Sequence, residues 1–311
     1  MARAYVFPGQ GSQFVGMGAD LAAAFPAARE VFEEVDDALE RKLSKIMAEG
    51  PIEELTQTAN AQPALMAHSI AVLRVLEKEA GLDIENAMFV AGHSLGEYSA
   101  LCAAGASTLA ETARLLKVRG EAMQAAAEAT EGAMAALIGV DVEGAEAAIA
   151  ALSGGGVCQI ANDNAPGQIV ISGEKAAVEA VAAGAKAHGA KMAKLLPVSG
   201  AFHSPLMAPA AGAMAIALDN AEIVGPKTRL VANVTAAVVA TPADIKARLA
   251  EQVTGRVRWT ESVRFMADEG CDQFVELGAG KVLSGLVRRI AKDASVANIG
   301  APDDLDAFAA L

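Results

Sequence analysis

Gly92-His93-Ser94-Leu95-Gly96 sets a serine between two glycines in a G-x-S-x-G pattern. Such a serine does nucleophilic chemistry when a strand delivers it to a sharp turn and a helix carries the chain away, because its hydroxyl then stands clear at the tip. Glycines at 92 and 96 remove side chains that would crowd that turn. The flanks suit it: "AMFVAG" (87–92) is an apolar strand-like run, and residues 96–105 read as a helix. A helix N-terminus behind the serine would favour an oxyanion, and the Leu95 N–H is one donor such an anion needs. A competing reading exists at the same place. Ser94 followed by Glu97 is also S-x-x-E, the capping box of a helix N-terminus.

A serine nucleophile needs a base, and the chain has four histidines, His68, His93, His188 and His203. His68 lies in a helical stretch and His188 near a helix end, so both read as structural or surface residues. His93 adjoins the serine, but neighbours on a tight turn point apart, which makes it a pocket-lining residue at best. His203, in "PVSGAFHSPLM", follows a strand and a glycine in a loop, where catalytic groups commonly stand. The usual third member is an acid. Asp141 and Asp163 are candidates by chain order, though neither has a persuasive context, and a backbone carbonyl could hold the histidine tautomer instead.

Two further stretches bear on a substrate. In "TARLLKVRGEAMQ", helical spacing puts Thr112, Leu115, Leu116, Arg119 and Met123 on one face. An arginine in an apolar stripe is expensive unless paired, so Arg119 either snorkels to water or waits for a carboxylate that its fork would grip twice. "FPGQGSQ" looks like a phosphate loop and fails that test. Phe14 stands where the dinucleotide fingerprint needs its last glycine, and Met17 where the Walker pattern needs lysine. The loop could instead bring a backbone N–H to the reacting centre.

The elements that must hold these residues read as follows. "AYVF" (4–7), "AMFVAG", "RLVANV" (229–234) and "QFVEL" (273–277) are strands. Helical periodicity runs through roughly 20–80, 96–105, 108–129, 205–220 and 259–269, and again from 281. Alternating strands and helices imply a mostly parallel sheet covered on both faces. Residues 132–199 have another rhythm, β-α-β-β-α-β, the ferredoxin-like pattern, with a turn signal at Asn164-Ala165-Pro166-Gly167. The expected fold is therefore α/β, with a catalytic body formed by 1–130 and 200–311 and a ferredoxin-like subdomain, 131–199, inserted into it.

Composition narrows the function classes. The chain has 311 residues, 53% hydrophobic and 20% charged, enough for a large core. A net charge of −13 argues against general nucleic-acid binding, which needs a basic footprint. Cys102, Cys158 and Cys271 are widely spaced and form no C-x-x-C, so neither a disulfide framework nor a zinc site is indicated. No signal-peptide core and no apolar run near ~20 residues is present, and a cytoplasmic protein is expected.

With these stretches assembled, the chain resembles the malonyl-CoA:acyl carrier protein transacylases of fatty acid synthesis along essentially its whole length. The resemblance is carried, in order, by "FPGQGSQ", "GPIEELTQTANAQPAL", "AGHSLGEYSAL", "RGEAMQ", "GAMAALIG", "NAPGQIVISG", "LPVSGAFHSPLM", "VRWTESVRFM" and "ELGAGKVLSGL". It implies an α/β-hydrolase-like body with a ferredoxin-like subdomain. It implies that Ser94 carries the acyl group, His203 is its base, and Gln252 supports His203 through its main-chain carbonyl. It further implies an oxyanion hole from the N–H groups of Gln10 and Leu95, and a malonate site of Arg119, Gln62, Met123 and Phe202. Phe202 resembles malonyl-selecting members, whereas relatives taking methylmalonyl tend to carry a smaller residue there and Gln where this chain has Leu95. Selection against one methyl group is worth only ~1–3 kcal/mol, so a preference rather than exclusion is expected.

The function so implied is ping-pong transfer of malonyl from malonyl-CoA to the phosphopantetheine thiol of acyl carrier protein, by a monomer, with no metal or redox cofactor. A free-standing loading enzyme for polyketide synthesis and a serine hydrolase are the alternatives. The carrier is typically acidic, so docking needs a local basic patch. Lys186, Lys191 and Lys194, or Arg288, Arg289 and Lys292, are the candidates.

Overall fold

Strands buried on both faces favour apolar runs, which Arg3–Phe7 (β1) has after its first residue and Phe89–Gly92 (β2) and Leu230–Ala232 (β7) have throughout, whereas Gln273–Leu277 (β9) is fully buried with Gln273 and Glu276 among its residues. The computed structural model describes residues 2–198 and 200–311; Met1 and Ser199 lie outside them, the latter at the end of the expected 131–199 segment. With Gly132–Ile138 (β3), Cys158–Ala165 (β4), Gln168–Glu174 (β5), Met192–Leu195 (β6), Ala237–Val239 (β8) and Ser295–Ile299 (β10), the strands form two sheets. The larger has the order β10-β9-β1-β2-β7-β8, parallel except that β8 runs antiparallel to β7.

Successive side chains of β1 face opposite layers, as the two-residue period of a strand requires. Tyr5 and Phe7 join the core beneath the helices Thr58–Glu79 and Leu109–Glu128. Ala4 and Val6 join a second core with Trp259, Val263 and Leu286 from the helices Trp259–Asp268 and Val282–Ile290.

The smaller sheet is antiparallel with the order β4-β5-β3-β6. Its helices, Val142–Ala150 and Lys175–Gly184, complete the β-α-β-β-α-β order and close a separate core around Leu137, Ile169 and Val178. This is the ferredoxin-like arrangement read from the sequence.

Among the described residues, strands β8 and β10 and the helices Pro242–Gln252 and Leu305–Ala309 have no counterpart in that reading. The two strands are short and mostly half-buried, so neither shows a long apolar run. The expected Asn164–Gly167 turn is shorter, because β4 continues through Ala165 and only Pro166-Gly167 turns, Gly167 at φ +73°. The three cysteines are unpaired. Among the described residues, no helix is long and apolar enough to cross a membrane.

Candidate active site

The elbow forms where β2 ends and the helix Gly96–Ala103 begins. Ser94 sits at φ +53°, left-handed backbone that costs a non-glycine residue about 1–3 kcal/mol and persists only when its surroundings enforce it. The enforcement is visible. A Cβ on Gly92 would overlap the Gly96 carbonyl, and one on Gly96 would overlap the Phe7 carbonyl of β1. The Ser94 N–H donates to Asn233 Oδ1 at 2.7 Å, and Asn233 Nδ2 donates back to the Gly92 carbonyl at 2.7 Å.

The capping-box alternative does not form. Leu95, not Ser94, is the N-cap residue, and no side chain caps this helix. The Ser94 hydroxyl points into a cleft and lies 2.8 Å from His203 Nε2. His203 is also in left-handed backbone, φ +56°, and its Nδ1 lies 2.8 Å from the main-chain oxygen of Gln252. A carbonyl only accepts, so Nδ1 carries the proton and Nε2 is free to accept from Ser94. Burial, then the charge of Arg119, pushes the His203 pKa down to about 3, so the ring is neutral at physiological pH.

Neither acid considered from chain order reaches this histidine. Asp141 caps the helix Val142–Ala150, accepting from the Gly144 N–H at 2.9 Å, and Asp163 accepts from Thr260 Oγ1 at 2.6 Å. His93 turns away, its Nε2 2.7 Å from Asn164 Oδ1 on β4. His68 is buried in the long helix and pushed down to about 4 by that burial.

Arg119 does not snorkel. It is 1% exposed, and its Nη1 donates to Gln62 Oε1 at 2.7 Å. Its Nη2 donates to Gln252 Oε1 at 2.8 Å and to Ser94 Oγ at 3.1 Å. These three partners are neutral, and Arg119 Nε is buried without one. A guanidinium keeps its charge in proteins, so a cation held mainly by neutral dipoles faces the cleft and favours an anionic ligand.

The cleft has a volume of about 370 Å³, and Gln10, Ser94, Arg119, Met123, Phe202 and His203 line it. The smaller sheet supplies part of its wall through Met134 and Val170, and the helix Val282–Ile290 another part through Leu283 and Leu286. Gln62 lies just behind, its amide nitrogen 3.6 Å from the Met123 sulfur. Gly9 passes so close to His93 that a Cβ would press on the His93 carbonyl, which brings Gln10 beside the elbow. Among the described residues, neither the Gln10 nor the Leu95 N–H donates a hydrogen bond. Two free donors beside a serine, a neutral histidine and a buried guanidinium can together form an acyl-serine and select an acyl group bearing a carboxylate.

Three site residues escaped the sequence reading. Asn233 pins the Ser94 turn, Gln159 Nε2 donates to the His203 carbonyl at 2.7 Å, and Glu97 Oε2 accepts from Gln252 Nε2 at 2.6 Å. Asn233 stands just past the carboxyl end of β7, where α/β sheets place their ligands, but the sequence pattern runs that strand through residue 234 and so conceals it.

Residues 4–301 match the acyl transferase domain family. The chain belongs to this acyl transferase family. Among curated family relatives, the malonyl CoA-acyl carrier protein transacylase of Bacillus subtilis is 46% identical over 304 residues, covering 97% of this chain and 95% of its own. Among solved structures, the acyl-carrier-protein-S-malonyltransferase of Bartonella henselae is 54% identical with a TM-score of 0.96, covering 99% of this chain and 98% of its own. Another, a malonyl-transacylase in complex with its type II PKS acyl-carrier protein, is 42% identical with a TM-score of 0.94, covering 98% of each chain.

Proposed function

We propose that this acyl transferase moves malonyl from malonyl-CoA to the phosphopantetheine thiol of an acyl carrier protein through a malonyl-Ser94 intermediate. One observation carries the reading: Arg119 Nη2 lies 3.1 Å from the hydroxyl that pairs with His203, so the site presents a carboxylate-gripping fork at its nucleophile. The transacylase relatives support the same substrate pair.

His203 Nε2 takes the Ser94 proton as Oγ bonds to the thioester carbonyl carbon. The carbonyl oxygen becomes an oxyanion and rests on the Gln10 and Leu95 N–H groups. Collapse breaks the carbon–sulfur bond, and the departing CoA thiolate takes the proton from His203. The carrier thiol then gives its proton to His203, attacks the malonyl ester, and the second collapse returns the proton to Ser94. The Gln252 carbonyl holds the imidazole tautomer throughout, while Gln62, Met123 and Phe202 shape the acyl end of the cleft. Every step uses side chains and main chain alone. A thiol acceptor outcompetes water because it is the better nucleophile.

The carrier docks, on this reading, beside the helix Val282–Ile290, whose Leu283 and Leu286 reach the cleft and whose end carries exposed Arg288. Arg289 is already engaged with Gln168 and the Pro166 carbonyl, and Arg288 Nη2 with the Val296 carbonyl at 3.1 Å, so exposed Lys292 is the cation of this cluster that the carrier meets without displacing a contact, with exposed Arg288 beside it. The enzyme acts as a monomer in the cytoplasm, where its three unpaired cysteines stay reduced. A polyketide carrier is the second reading, favoured by the relative solved with a type II PKS acyl-carrier protein.

Intact mass after mixing with malonyl-CoA tests the proposal. The wild type gains one malonyl group and Ser94→Ala gains none. Arg119→Ala loses most of the preference for malonyl over acetyl. Discharge of the adduct by holo-carrier, and only slowly by water, separates transferase from hydrolase. An adduct that persists in Ser94→Ala refutes the assignment.

A further inference from the structure

Among the described residues, Glu97 is the one carboxyl group woven into this site, and the steps above do not use it. It follows the elbow by three residues, is 1% exposed, and sits on the far side of Gln252 from Arg119. Its Oε2 accepts from Gln252 Nε2 at 2.6 Å and from the Asn233 N–H at 3.1 Å.

A glutamine amide has two chemically opposite ends, a donor nitrogen and an acceptor oxygen. Gln252 spends its nitrogen on Glu97 Oε2 and on the Ser94 carbonyl, 2.9 Å away. Its oxygen is thereby turned toward Arg119 Nη2 at 2.8 Å. If the amide were reversed, NH₂ would meet a guanidinium and a carbonyl would meet two oxygens, setting donor against donor and acceptor against acceptor in a water-poor interior. Residue 97 supplies the shortest of the contacts that hold Gln252 in this sense, at 2.6 Å against 2.9 Å for the Ser94 carbonyl and 3.4 Å for Asn233 Oδ1, and so contributes most to which end the arginine meets.

We propose that Glu97 is a positioning residue for acyl selection: by fixing the Gln252 amide it aims the Arg119 fork at the substrate carboxylate. The proposal rests on the reading of Arg119 as the malonate contact. Acetyl has no carboxylate and does not use the fork, so disorder of Arg119 costs malonyl transfer more than acetyl transfer. The effect belongs to the acceptor oxygen, which glutamine also offers and methionine does not.

The test compares kcat/KM for acylation by malonyl-CoA and acetyl-CoA in wild type, Glu97→Met and Glu97→Gln. Glu97→Met is expected to lower the malonyl-to-acetyl ratio at least fivefold, and Glu97→Gln to keep it within fivefold of wild type. A smaller loss in Glu97→Met overturns the proposal, as does an equal loss in both variants, which would assign the effect to charge. Should Glu97→Met fail to fold, Gln252→Met carries the test on the same fivefold line, because it removes the amide and keeps the main-chain carbonyl for His203. If Arg119→Ala leaves the ratio unchanged, the reading of Arg119 fails together with the proposal. If Arg119→Ala lowers the ratio and Glu97→Met does not, the proposal alone fails.

Discussion

Gln159, on the smaller sheet, holds the main-chain carbonyl of His203, on the larger body, with a 2.7 Å hydrogen bond from its amide nitrogen. The same nitrogen donates to the Thr254 carbonyl at 2.9 Å, two residues past the Gln252 carbonyl that orients the imidazole. One side chain thus ties His203, at φ +56°, to the loop whose main-chain oxygen meets its Nδ1.

Replacing Gln159 with leucine removes that tie and leaves two carbonyls without their donor. A lost hydrogen bond of this kind costs about 1–1.5 kcal/mol, so the single-turnover rate of Ser94 acylation should fall by roughly tenfold. Affinity for malonyl-CoA should change little, because Gln159 does not line the cleft. Stopped-flow acylation at saturating malonyl-CoA checks it, and an unchanged rate would show that His203 needs no support from the smaller sheet.

The acid limb of catalysis should lie well below the ordinary histidine range. Burial and the Arg119 charge push His203 down to about 3, so the base stays unprotonated at pH 5, where an exposed histidine would be mostly charged. Acylation followed between pH 4.5 and 8 should show no loss centred near 6.5. Removing the cation in Arg119→Ala should move the acid limb upward, because one of the two main causes of the depression is gone.

Glu97 makes an opposite contribution to stability. Burial raises its pKa from 4.5 to about 7 in the folded protein, so between those values the folded state holds a proton that the unfolded chain has lost. Its contribution is complete below pH 4.5 and is lost as pH rises through about 7. Measured against Glu97→Gln, which does not titrate, the melting temperature of the wild type should fall progressively from pH 5 to pH 8. A difference that stays flat across this range would mean Glu97 does not titrate there.

Phe202 should govern the room beside the acyl α-carbon. Its ring lines the cleft and lies so close over Gly200 that a Cβ there would overlap it. Phe202→Ser opens that space and should narrow the preference for malonyl-CoA over methylmalonyl-CoA by roughly 10- to 200-fold, the worth of one methyl group in a fitted pocket. Competition between the two thioesters for Ser94, read by intact mass, measures it directly.

The parts of the site legible in the sequence were those whose evidence is local. The elbow announces itself in five consecutive residues, and the Arg119 stripe repeats at helical spacing within one helix. The βαββαβ order was legible because each of its strands is bounded by glycine or proline. Strand β10 was not, since four of its five residues are half-exposed or exposed. Asn233 and Gln159 were hidden for another reason. Their partners lie 139 and 44 residues away in sequence, and a lone amide near a strand carries no period and no motif. The helix Pro242–Gln252 did carry signals, a Thr241 cap accepting from the Asp244 N–H and proline in the first turn. Its last residue enters the site twice, once through its carbonyl and once through its amide.

The crossing of Gly92, Gly96 and Phe7 has a consequence for anyone wishing to change the acyl group this enzyme accepts. Backbone meets backbone there without space for one added carbon, so neither Gly92 nor Gly96 is an adjustable position. Diversity can be sought instead at Phe202 and Met123, whose side chains line the cleft, and at Gln62 just behind them. A library that randomises those three positions and leaves residues 92–96 untouched should return folded, acylatable variants, whereas one that includes the two glycines should return mostly unfolded chains.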